Sequence, residues 1–156
     1  MILATVGTQL AFPRLIGALD ALAERHGLEI FAQTADPLCD ARRLMHAPHL
    51  SPAEFAERAA AATLLVGHAG IGTVLTARKL QKPLVIYPRR FSLGEHRNDH
   101  QMATARTLEA TTGVHVAWDN AQLEAFLLAE QLTPASLVAS ENRAALIAHL
   151  KAFVSI

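Results

Sequence analysis

A regular exchange between short apolar runs and longer stretches of helical periodicity most constrains what this chain can fold into. Met1–Gly7, Leu28–Gln33, Thr63–Gly67, Pro83–Tyr87 and Val114–Trp118 read as strands, and Pro83–Tyr87 is unbroken in the manner of strands buried on both faces. Between them, Pro13–His26 sets Leu15, Ile16, Leu19, Leu22 and Ala23 on one helical face and stops at Gly27. Ser51-Pro52-Ala53-Glu54 combines an N-cap, a first-turn proline and a capping-box glutamate, which predicts a helix to about Ala62. Further helices are expected over Gly70–Gln81, over His96–Ala110, from the Asp119-Asn120-Ala121-Gln122 capping pattern to about Glu130, and from Ser140 to Phe153. This alternation predicts an α/β fold, a doubly wound, Rossmann-like parallel sheet with right-handed crossovers in one domain over residues 1–156. Ligands of such sheets sit beyond the carboxyl ends of the strands, which directs attention to the loops starting at Gly7, His68 and Pro88.

Charge and cysteine content narrow the function classes. Fourteen Lys and Arg balance fourteen Asp and Glu, so no global basic field exists to drive non-specific nucleic-acid binding, and any anion site has to be local. The lone thiol, Cys39, forms no internal disulfide, and no Cys/His spacing matches structural zinc; a cytoplasmic location is expected. The longest uncharged run, Ala59–Ala77, matches a membrane helix in length, but Gly67, Gly70, Gly72 and His68 lie at its centre and favour strand, loop and helix instead.

Three constellations carry candidate chemistry. Gly7-Thr8-Gln9 follows the first strand, where a glycine permits close backbone approach and amides plus a hydroxyl can meet an anion; the plainer reading is a tight strand-to-helix turn. His68-Ala69-Gly70-Ile71-Gly72-Thr73 opens a helix whose bare amides and dipole suit a diphosphate. It lacks both the third glycine of a dinucleotide fingerprint and the lysine of a Walker A loop. Pro88 to Gln101 is the densest polar stretch. Six of the fourteen basic residues lie from Arg78 to Arg97, with Glu95 the sole acid among them, and the forks of Arg89 and Arg90 suit phosphate or carboxylate. A helix beginning near Glu95 would put His96 one turn from His100 and Glu95 one turn from Asp99, but a solvated helix start accounts for that spacing more simply than a metal site.

In this order the three motifs resemble the C-terminal domain of glycosyltransferase family 28, the UDP-sugar-binding half of a GT-B enzyme. They resemble in particular the small, PssE-like subunits of two-component transferases. The resemblance rests on Val6-Gly7-Thr8 with Phe12 and Arg14-Leu15-Ile16, on His68–Thr73, and on Pro88-Arg89-Arg90 with Gly94-Glu95-His96 and Asp99-His100-Gln101. It implies that Gly7, Thr8, Gln9, His68, Ala69, Gly70, Ile71, Gly72 and Thr73 face the donor diphosphate or nucleotide. It also implies that Arg89, Arg90, Glu95, His96, Asp99, His100 and Gln101 reach the donor sugar or phosphate. The substrate implied is a UDP-sugar, with no metal and no other cofactor. The partner implied is a membrane-associated acceptor-binding subunit that brings a lipid-linked saccharide and recruits the chain to the inner membrane face. Two departures stand out: Thr76 occupies a position where many members have a ribose-binding Glu, and Gln81 replaces a common Gly. Competing expectations are a non-catalytic subunit that stabilises such a transferase, and an NADP-binding protein with Arg89 and Arg90 on the 2′-phosphate.

Overall fold

Ile2, Leu3, Ala4 and Thr5 are all buried, so the first strand has no solvent face and needs a layer of helices on each side. The computed structural model describes residues 1–136 and provides both layers. In chain order the elements are β1 (Ile2–Thr5), α1 (Pro13–His26), β2 (Ile30–Gln33), β3 (Met45–Ala47), α2 (Pro52–Ala61), β4 (Leu64–Gly67), α3 (Ile71–Leu80) and β5 (Leu84–Ile86). A 3-10 turn (Phe91–Leu93) follows, then α4 (His100–Leu108), β6 (Val114–Val116) and α5 (Asn120–Leu127). The strands lie in the order β3-β2-β1-β4-β5-β6 and every pairing is parallel. The chain winds outward from β1 to β3, returns to place β4 beside β1, and winds outward again. The crevice beyond the ends of β1 and β4, where Thr5 is paired with Gly67, is therefore the topological switch point.

The two-residue strand period separates the cores. Ala4, Ala32, Val66 and Val85 face α1 and α5, where Leu15, Leu19 and Leu123 are fully buried. Leu3, Leu65, Leu84 and Ile86 face α2, α3 and α4 through Ala59, Val74, Ala77 and Ala105. Small residues on the second set of helices allow close packing against the sheet. No helix among the described residues is long and apolar enough to cross a membrane.

The expected strands and the first three helices are present, including the full Ser51–Glu54 capping box. Four expectations change. Strand β3 was not anticipated; Met45-His46-Ala47 is a half-exposed edge that forms by pairing with Phe31–Gln33, not through its own strand preference. The helix expected from His96 starts at His100, because residues 91–99 are folded into a 3-10 turn and a loop pinned by Glu95 and Asp99. The last described helix ends at Leu127 rather than Glu130, and its cap is half a box: Asp119 accepts from the Gln122 amide, while the Gln122 side chain accepts from Trp118 N instead. The helix expected over Ser140–Phe153 lies outside the described residues.

Candidate functional site

The loop leaving β1 turns at Gly7, whose φ of +87° is a left-handed value that a side chain would strain. Its amide donates to Thr5 Oγ1 at 3.2 Å and its carbonyl accepts from Gln33 Nε2 at 2.9 Å. The guanidinium of Arg89 donates to the carbonyls of Val6, Leu10 and Ala11 at 3.1, 2.6 and 2.7 Å. With these carbonyls turned inward, the backbone amides of Thr8 and Gln9 have no acceptor among the described residues.

A second set of bare amides opens opposite. Gly70 caps α3 without a side-chain bond, and the N–H groups of Ile71, Gly72 and Thr73 have no acceptor among the described residues, at the positive end of a ten-residue helix. His68 stands between the two loops. A β-carbon on Gly70 would come 2.4 Å from Nε2, so the ring can sit there only over a glycine, and one on Gly7 would come 3.0 Å from His68 Cε1, a tight contact added to the constraint of the left-handed φ at Gly7. Its Nδ1 is buried without a partner. Burial first, and then the Arg89 charge, hold the imidazole below its usual value near 6.5, so it is neutral at pH 7.

Two clefts meet at Gly7, Thr8 and His68. The one of about 380 Å³ runs between Leu50, Phe55, Gln33 and Thr76. The other, about 230 Å³, runs toward Leu10, His96 and Gln101 above Arg89. The first has apolar walls suited to a flat ring, and the second is polar.

The third motif is divided by the fold. Arg89 is 2% exposed and its terminal nitrogens are engaged by carbonyls, so it underlies the cleft rather than reaching across it. Arg90 points away, donating to the Trp118 carbonyl. Glu95 is held in a two-point pair by Arg14, Nε to Oε1 at 2.5 Å and Nη2 to Oε2 at 2.8 Å, and accepts from Arg90 N at 2.8 Å. Burial pushes this carboxyl up, and the Arg14 and Arg90 bonds outweigh it, leaving the group below its usual value near 4.5. Asp99 accepts from Phe91 N at 3.1 Å and His100 bonds Asn98. His96 and Gln101 line the smaller cleft; the His96 ring meets His100 edge-on at 4.5 Å and its Nδ1 lacks a partner. Of the seven residues expected to reach the donor, Arg89, His96 and Gln101 therefore border the cleft, Arg90, Glu95 and Asp99 hold the motif together, and His100 lies outside. No group of three or more His, Cys, Asp or Glu side chains arranged to hold a metal ion occurs among the described residues.

Sequence reasoning assigned no role to Gln33, Leu50 or Phe55, and Arg14 entered only as part of a motif. A glutamine closing an otherwise apolar strand was the available signal for Gln33, which is 4% exposed in β2.

A parallel sheet with strand order 3-2-1-4-5-6, and an amide-lined crevice at its switch point, defines a Rossmann-like domain. The chain belongs to the glycosyltransferase family 28 C-terminal domain, whose family profile matches residues 45–153, well over half of its length. Among solved structures it is similar to the solution structure of ALG13, at 17% identity and a TM-score of 0.59 over 92% of this chain and 91% of that one. It is also similar to the crystal structure of MurG from Acinetobacter baumannii, at 21% identity and a TM-score of 0.64. There it covers 95% of this chain and 48% of that one, so it spans about half of MurG. The glycosyltransferase of kitacinnamycin is similar at 14% identity and a TM-score of 0.57, over 83% of this chain and 34% of that one. No curated protein matches the chain by sequence. At these identities the structures speak for the fold, the C-terminal half of the GT-B architecture.

Proposed function

We propose that the chain is the donor-binding half of an inverting glycosyltransferase, taking a UDP-sugar and acting with an acceptor-binding partner on a lipid-linked saccharide in bacterial exopolysaccharide or capsule synthesis. The observation that carries this reading is the convergence of two rows of unpartnered amides, Thr8-Gln9 and Ile71-Gly72-Thr73, on the imidazole of His68. In that arrangement the diphosphate lies between the loops and the nucleoside lies in the cleft beside Leu50, Phe55 and Thr76. The sugar lies toward His96 and Gln101. The acceptor hydroxyl attacks the anomeric carbon from the face opposite UDP, the bond to the diphosphate oxygen breaks, and a base on the partner takes the hydroxyl proton. Charge developing on the departing diphosphate meets fixed N–H dipoles and the helix terminus, which stabilise it without a metal. The donor sugar, hexosyl or glucuronosyl, is selected at the polar end of the cleft.

A single open sheet supplies one wall of a water-excluding site, and the partner supplies the other. Leu10, Phe91 and Leu93 are each about half exposed at the carboxyl end of the sheet. Leu10 and Leu93 line a groove of about 600 Å³ that shares Leu10 and His96 with the smaller donor cleft. This apolar rim, flanked by exposed Arg97, is where we seat the partner, which also carries membrane attachment for an otherwise cytoplasmic chain.

Calorimetric titration with UDP, UDP-glucuronate, UDP-N-acetylglucosamine and NADPH, without and then with magnesium, tests the reading. Metal-independent binding of a UDP species supports it, and binding of NADPH alone overturns it. A second reading, a non-catalytic subunit, draws on Thr76, whose hydroxyl is turned back to the Gly72 carbonyl at 2.9 Å where many family members carry a ribose-binding Glu. His68→Ala in the reconstituted complex separates the two, because a purely structural subunit keeps full transfer activity.

A further inference from the structure

We propose that Arg89 and Gln33 are a pair of positioning residues that shape the β1–α1 loop into an anion receptor by holding its carbonyls inward, Arg89 from below and Gln33 from the side. The inference rests on the donor-binding reading and adds the device that makes the loop competent. In a planar trans peptide the carbonyl and the following N–H point in opposite directions, and no peptide bond in the described chain is cis. Pinning the Gly7 carbonyl to Gln33 Nε2 therefore turns the Thr8 amide outward, into the region where the two clefts meet. Arg89 grips the loop at both ends, at Val6 and at Leu10 and Ala11, which sets its bend. The planar fork divides these bonds between two terminal nitrogens in fixed directions, Nη1 to Ala11 and Nη2 to Val6 and Leu10, whereas an ammonium offers its donors from a single point. The fork is itself fixed, packed 4.4 Å above the Phe12 ring.

Arg89 also contributes charge. The nearest carboxylate, Glu95, is taken up by Arg14 and the Arg90 amide, and the bond Arg89 makes to that residue is to its backbone carbonyl, at 3.4 Å. Glu95 also acts on Arg89 through space, but it is shared with Arg14, so two guanidinium groups draw on one carboxylate and an anion in the cleft above balances the remaining positive charge. Gln33 has a second task. Its Oε1 accepts from Leu50 N at 3.2 Å, so one buried amide ties the loop carrying Thr8 to the wall of the nucleoside cleft.

The two roles predict different losses, measured on the full chain as Arg89→Lys, Arg89→Met and Gln33→Leu. Arg89→Lys is expected to weaken inorganic pyrophosphate and UDP by about tenfold and leave uridine unchanged, with Arg89→Met losing more. Gln33→Leu is expected to weaken all three. Without ligand, the amide resonances of Thr8–Ala11 are expected to move in each variant while those of β4 and β5 stay in place. Arg89→Lys and Gln33→Leu keep the test open if Arg89→Met fails to fold. Wild-type affinity for pyrophosphate in Arg89→Lys, loop resonances that do not move, or shifts spread evenly over the sheet would each overturn the inference. If the wild-type chain takes neither UDP nor pyrophosphate, the donor reading falls, and the ligand-free resonances still decide whether the two residues shape the loop.

Discussion

Gly70 shows how much of the candidate site depends on single atoms. Its φ of −88° and ψ of 131° are open to any residue, so what demands glycine there is the His68 ring 2.4 Å from where a β-carbon would stand. Gly70→Val is therefore expected to fold and to lose UDP binding, because the imidazole is driven out of the space between the loops; retained affinity in calorimetry would remove this wall from the site. His68 also makes a pH prediction. Its pKa is lowered in the folded chain by burial and by Arg89, with His96 adding to the effect. As acidity rises through about pH 6.5, the unfolded chain binds the proton first and the native state loses stability; above that pH the effect is absent. His96, lowered by burial, His100 and Arg89, contributes in the same sense. His68→Asn is expected to flatten the fall of stability between about pH 7 and pH 5 in denaturant titrations, and an unchanged slope would assign the effect elsewhere.

At the scale of elements, the ends of the helices carry signals of different quality. The Ser51–Glu54 box is reciprocal, with Ser51 Oγ accepting from Glu54 N at 3.3 Å and Glu54 Oε2 accepting from Ser51 N at 2.8 Å. Ser51→Ala is expected to cost about 1 kcal/mol, read as a fall in Tm of about 2–4 °C. Helix α3 ends less well. Gln81 closes it in the left-handed region, φ 50° and ψ 47°, where a β-carbon is strained and glycine is favoured. Gln81→Gly is expected to raise stability by about 0.5–1 kcal/mol, the relief of left-handed strain less the entropy glycine loses on folding. The loop from β5 to α4 is held by the Arg14–Glu95 pair, whose side chains are 24% and 11% exposed, with Arg14 stacked 4.3 Å from the Tyr87 ring. Removing Arg14 leaves a largely buried carboxylate with one amide donor. A double-mutant cycle on Arg14→Ala and Glu95→Gln is expected to give a coupling of about 1–3 kcal/mol, well above that of an exposed pair.

For the whole molecule, the sheet gathers the cleft-lining residues beyond the carboxyl ends of its strands and leaves that end open. The apolar rim lies at the same end, and its Phe91 and Leu93 lie outside both donor clefts, so donor binding and partner docking are neighbouring but separable. Phe91→Glu combined with Leu93→Glu, two exposed positions that line neither donor cleft, is expected to leave UDP affinity of the isolated chain unchanged and to lower transfer in the reconstituted complex by tenfold or more, about 1.4 kcal/mol of docking energy. Complex formation and transfer equal to wild type would move the partner to another face.

The strand–helix alternation, the loops that follow β1, β4 and β5, and the capping box at Ser51 were legible in the sequence because each depends on local periodicity or on residues within one turn. Family membership was legible for a related reason: its motifs are short and contiguous. Strand β3 was not, since Met45–Ala47 becomes a strand through pairing with β2 and not by its own preference. The start of α4 was not, since Glu95 is drawn to Arg14, 81 residues away in sequence, instead of capping the helix it was expected to begin. The division of labour inside the third motif has the same origin. From sequence, Arg89 and Arg90 are equivalent forks, and only the tertiary structure buries one beneath the β1–α1 loop and turns the other to Trp118. Local order follows from what neighbouring residues can do, whereas the partner of a buried charge is decided by which distant backbone the packed sheet brings within hydrogen-bond reach.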